Sequence, residues 1–236
     1  MNRFRLSLVV MAFALVFLVD ADGRAQSPDR AQLEKEIQSL REQLRQKEQE
    51  FLAPSAEDRA AFAEFLSQPN TGLVRLLPRE KYDGKLTAHG GGAYYSFSLL
   101  KHEYDNGSDI ELQQNELSVG FAGANWGYLA KLGDVPLETV GLDHFAVQFL
   151  ATLEVPSREL GAREQQRLSG SGVTVNAARY ARRGPALVNT TYVLRSINYH
   201  TSDVLVAFRI VRQDADGSMT LLWKKLKEFP QPALKP

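Results

Sequence analysis

Two periods divide the chain. Leu33, Ile37, Leu40, Leu44 and Phe51 recur in alternating steps of four and three, with Lys47 in the position the series omits. From Lys85 onward apolar residues recur mainly at every second position. The first period predicts a helix with one apolar seam; the second predicts strands with one dry and one wet face.

The two-residue period is clearest at 145–155. Phe145, Val147, Phe149, Ala151, Leu153 and Val155 share one parity, and His144, Gln148, Thr152 and Glu154 the other. This predicts a strand with its phenylalanine face buried. Val204, Val206, Phe208 and Ile210 predict another, followed by Met219–Phe229 across Asp214-Ala215-Asp216-Gly217, a hairpin signal. Ile110–Leu112 and Leu117–Phe121 carry apolar residues on opposite parities, which places a turn at Gln113–Glu116. Ala93–Tyr104 is rich in aromatics and leads into Asn106-Gly107. Strands and helices do not alternate, which disfavours a parallel sheet. The expected class is α+β, predominantly antiparallel β, a sandwich or partly closed barrel preceded by a helical, coiled-coil stalk. Residues 157–185, with four glycines at 161, 170, 172 and 184, predict a long loop with a short helix near 163–168.

The four-and-three spacing is a heptad seam, with Leu33 and Leu40 at d and Ile37 and Leu44 at a. Glu36 at g and Arg41 at the next e attract each other across a parallel pair. A homo-oligomer through Leu33, Ile37, Leu40 and Leu44 is therefore expected, against the alternative of a single amphipathic helix. Ser27-Pro28-Asp29 suits a helix start and Pro54 a stop. A second helix begins at Ser55 with Asp58 three residues on, carries Phe62, Phe65 and Leu66, and stops at Pro69-Asn70-Thr71-Gly72. The expected organisation is a signal over 1–25, a stalk over 26–53, a flanking helix and linker over 54–84, a β-rich domain over 85–230 and a tail over 231–236.

The N-terminus changes the compartment. Arg3 and Arg5 precede an apolar run from Leu6 to Val19 broken only by Ser7, and Gly23 and Ala25 occupy small-residue positions of a cleavage site. This predicts export, periplasmic or secreted. The alternative is an envelope anchor through an uncleaved segment. The chain has no cysteine, which removes disulfides, thiol nucleophiles and cysteine-ligated metals. Lys and Arg number 28 against 28 Asp and Glu. A balanced chain lacks the positive field of a nucleic-acid binder, so no nucleic-acid partner is expected.

His89-Gly90-Gly91-Gly92 resembles the oxyanion-hole motif of lipases and esterases of the α/β-hydrolase family. That family also needs a Gly-x-Ser-x-Gly elbow, which no serine here satisfies, so the glycines are read as a bend entering the strand at Ala93. The residue types available for catalysis converging from distant strands are His89, His102, Asp143 and His144. No metal site and no cofactor are expected, because no histidine pair has ligand spacing. Arg158, Arg163, Arg167, Arg179, Arg182 and Arg183 lie in an arginine-rich stretch suited to an anionic ligand or envelope component, with Arg158, Arg163, Arg167, Arg182 and Arg183 as the candidate contacts. Trp126 and Tyr128, set among small residues, suit a sugar-binding loop. The preferred function is a non-enzymatic exported binding or assembly protein; the rival is an exported hydrolase or metal-dependent enzyme.

Overall fold

A computed structural model describes residues 29–102 and 104–235. The expected signal over 1–25 lies outside the described residues. The chain divides into two units, residues 1–44 and 45–236.

Helix α1 (Arg30–Leu52) begins where the Asp29 carboxylate accepts a hydrogen bond from the Ala31 amide at 3.1 Å. In the first unit Leu33, Ile37, Leu40 and Leu44 are exposed, Leu40 by 63%. The second unit opens with the last turns of α1, followed by α2 (Ala56–Ala61) and α3 (Ala63–Leu66). Ser55 caps α2 by accepting from the Asp58 amide at 3.0 Å, as its sequence predicts. Phe65 is buried, and Phe62 and Leu66 pack against the same core.

The strands are β1 (Thr71–Leu76), β2 (Tyr94–Tyr95), β3 (Ile110–Gln113), β4 (Glu116–Ser118), β5 (Trp126–Gly133), β6 (Val173–Val175), β7 (Ala178–Ala181), β8 (Arg183–Pro185), β9 (Thr190–Asn198), β10 (Ser202–Gln213) and β11 (Met219–Glu228). Three further helices are α4 (Arg79–Tyr82), α5 (Phe145–Thr152) and α6 (Glu159–Ser171). Seven strands form one sheet in the order β1-β11-β10-β9-β5-β7-β6, and four form a second in the order β2-β3-β4-β8. The paired strands are antiparallel and neither sheet closes into a barrel.

The large sheet is covered on both faces. Leu205, Ala207, Val193, Ile197, Tyr128 and Ala130 meet the buried residues of α5 and α6. The opposite parity, Val204, Val206, Phe208, Ile210, Tyr192, Leu194 and Leu129, meets Ile110, Leu112, Leu117 and Phe97 from the small-sheet side. All nine residues of β9 are consequently buried. The β10–β11 hairpin turns at Asp214–Gly217, and β3–β4 turns through Gln114 and Asn115, both at positive φ, as their spacing predicts.

Three expectations are corrected. Residues 145–152 form a helix, not a strand: the apolar run is long enough to bury Ala146, Val147 and Leu150 at helical spacing, leaving Phe145 51% exposed. His144 supplies the N-cap, its Nδ1 accepting from the Ala146 amide at 3.3 Å. Residues 157–185 are not a long loop but α6 followed by β6, β7 and β8. The segment 71–76, expected within a linker, forms β1 and pairs along β11.

Arg195 ties α5 to the sheet. It is 2% exposed, grips Asp203 through two nitrogens at 2.9 and 2.8 Å, and donates to the Leu150 and Leu153 carbonyls at 2.7 and 2.9 Å. Those carbonyls belong to the helix end, where a cation is favoured. The Phe229 ring lies 3.8 Å from the guanidinium carbon.

Candidate functional site

The three glycines set the geometry of one cleft. Gly90, Gly91 and Gly92 have φ of +85°, +62° and +79°. A Cβ on Gly91 would sit 2.2 Å from the Tyr82 carbonyl oxygen, so only glycine lets the chain pass α4 and enter β2. The bend delivers Tyr94 opposite Glu111 on β3.

Glu111 is 4% exposed, and its carboxylate accepts from the Tyr94 hydroxyl at 2.6 Å, the Ser118 hydroxyl at 2.7 Å and Arg79 Nη1 at 3.0 Å. Burial, reinforced by that hydrogen bond to Glu111, pushes the Tyr94 phenol far above its ordinary pKa. Arg79 also donates to Asp83 at 3.2 Å and lies 5.6 Å from the Tyr94 ring centroid. Around this network opens a cleft of 240 Å³ whose walls include His89, Tyr104, Phe121, Arg182 and Arg183. His89 Nδ1 donates to the Tyr104 carbonyl at 3.1 Å.

Arg182 is half-buried. Its Nε donates to the Val119 carbonyl at 3.0 Å and its Nη2 to the Gly120 carbonyl at 2.6 Å. Burial and then the charge of adjacent Arg183 lower the Arg182 pKa. Arg183 opens β8 and is exposed, and its side chain has no partner among the described residues. The other arginines of the stretch are differently placed. Arg163 pairs with Glu159 at 3.0 Å and Arg167 with Glu164 at 2.5 Å along the exposed face of α6. Arg158 precedes α6, its backbone bridged to Lys235, and does not line the cleft.

Trp126 and Tyr128 do not form a sugar-binding loop. Their rings are 0% and 2% exposed, and Trp126 Nε1 donates to the Tyr199 hydroxyl at 3.4 Å, so neither presents a face to a ligand. They anchor β5 to the helix-covered core.

The histidines do not converge. His102 Nε2 donates to the Arg75 carbonyl at 2.8 Å, and burial lowers its pKa to about 4. It borders a different cavity, of 540 Å³, together with Glu48, Thr87 and Tyr95. Glu48 is 8% exposed and is held there by the Thr87 amide at 2.6 Å and the Thr87 hydroxyl. His144 serves as a cap, and Asp143 beside it is exposed. Among the described residues no group of three or more His, Asp or Glu could hold a metal ion. His89 and Glu111 share the cleft, and the Glu111 carboxylate is engaged there by three hydrogen bonds.

Arg79, Tyr94 and Glu111 escaped sequence reasoning, and of the aromatic stretch 121–128 it is Phe121 that lines the cleft. One signal was present: Glu111 interrupts the apolar pair Ile110 and Leu112 in a short strand, where a carboxylate needs partners. No helix among the described residues is long and apolar enough to cross a membrane. Comparison with protein-family models, curated proteins and solved structures finds no match.

Proposed function

We propose that the chain is an exported binding protein that takes an anionic ligand in the cleft bordered by Arg79, His89, Arg182 and Arg183. The observation that carries this reading is the inequality among its arginines. Arg163 and Arg167 pair with helix neighbours, whereas among the described residues the Arg182 side chain donates only to backbone carbonyls and the Arg183 side chain makes no hydrogen bond or ion pair. Asp83 and Glu111 line the same cleft, but neither forms an ion pair with Arg182 or Arg183 among the described residues, and an anion placed between the two adjacent guanidiniums stabilises both. Glu111 is held in the wall by its three donors, Arg79, Tyr94 and Ser118.

Isothermal titration with glucuronate, sulfate and uncharged glucose tests this directly. The anions should bind and glucose should not, and Arg183→Gln should weaken anion binding about tenfold without moving the thermal midpoint. Equal binding by Arg183→Gln and the parent chain would place the ligand elsewhere.

Self-association belongs to the same reading. The support is the exposed seam of Leu33, Ile37, Leu40 and Leu44, with Glu36 and Arg41 at complementary flanking positions. Sedimentation equilibrium of residues 26–236 should show an oligomer that Ile37→Asn with Leu44→Asn dissociates. A monomer before substitution contradicts it.

A further inference from the structure

Arg182 and Arg183 line a second space as well as the cleft. A cavity of 430 Å³ is bordered by Gly170, Arg179, Ala181, Arg182 and Arg183. No carboxylate is among its lining residues, and Arg179 spends one nitrogen on the Ser171 carbonyl at 3.3 Å. The two spaces differ in character. The cleft combines charge with hydrogen-bonding groups of both kinds, Gln113 and Asp83 among them, and with the rings of Tyr104 and Phe121. The second cavity is bordered by three arginines and otherwise only by Gly170 and Ala181.

We infer that the ligand is an acidic oligosaccharide, bearing carboxylate or sulfate groups on successive units, that runs from the cleft across Arg182 and Arg183 into the Arg179 cavity. This rests on reading the cleft as an anion site and adds its length and chemistry. One small anion fills one space and leaves the guanidiniums of the other uncompensated; a chain with spaced charges satisfies both. Guanidinium forks match carboxylate and sulfate oxygens in paired hydrogen bonds. Sugar hydroxyls need acceptors as well as donors, and Asp83 and Gln113 provide them in the cleft. The half-buried rings of Tyr104 and Phe121, packed on Tyr94, add apolar surface to the cleft wall. A nucleic-acid strand fits less well on a chain whose charges balance overall.

The test is a length series on the full chain, with mono-, di- and tetra-galacturonate as probes, each titrated at several salt concentrations. Affinity should rise about tenfold or more from the monosaccharide to the tetrasaccharide, with a steeper salt dependence for the longer probe. Arg179→Gln should remove that gain and leave the monosaccharide constant unchanged, while Arg179→Lys should restore part of it. Equal affinity across the series, insensitive to Arg179, overturns the extended site yet leaves the anion cleft standing. Tighter binding of an oligonucleotide of equal charge overturns the choice of sugar. No binding by any probe removes the anion reading itself.

Discussion

Asp109 and His102 titrate in opposite senses. Asp109 is fully buried, with the Phe97 amide and the Asn198 amide nitrogen each donating to its carboxyl at 2.8 Å, and burial raises its pKa to about 7. A raised carboxyl holds its proton in the fold, so its contribution to stability falls as pH rises from about 4 to 7. His102, lowered to about 4, does the reverse, and stability falls as pH drops from about 6.5 to 4. In the shared window the two slopes oppose one another and largely cancel. Asp109→Asn removes one of them. The stability of that variant relative to the parent should rise by on the order of 2–3 kcal/mol between pH 5 and 7. Urea titrations at each pH measure this, and a pH-independent difference contradicts the assignment. None of it was legible in the sequence, where Asp109 follows Asn106-Gly107 and reads as the start of a strand.

At the scale of elements, legibility followed local chemistry. Asp214–Gly217 fixes its own turn, and Gln114-Asn115 takes a two-residue turn at positive φ, so both hairpins were readable from short segments. The Ser55 cap was readable for the same reason. Helix α5 was not. Its run Phe-Ala-Val-Gln-Phe-Leu-Ala-Thr is apolar at nearly every position, so the alternate residues that suggested a strand coexist with Ala146, Val147 and Leu150 on one helical face. Tertiary burial decided between the two, because that face covers β5 and β9. Leu150→Ala should cost about 2–5 kcal/mol in denaturant titration and Phe145→Ala under about 1 kcal/mol. The opposite ranking would restore the strand parity.

For the whole molecule, the second face of the large sheet was hidden for a related reason. A strand buried on both sides loses its alternation, as β9 does, and its cover comes from segments far away in the sequence. The candidate site arises from that assembly. The glycine bend brings Tyr94 to Glu111, and the β4–β8 pairing sets Ser118 beside Arg183. The arginine-rich stretch was visible in the sequence; which arginines stay unpaired was not, since α6 neutralises Arg163 and Arg167 only once it is helical. The central claim is that Arg182 and Arg183 receive an anion. Arginine Nε–Hε resonances followed by NMR during a titration with galacturonate oligomers report on each guanidinium separately. Arg182 and Arg183 should shift together and saturate at one concentration, with Arg163 and Arg167 unmoved. Shifts confined to Arg163 and Arg167, or none at all, would contradict the account.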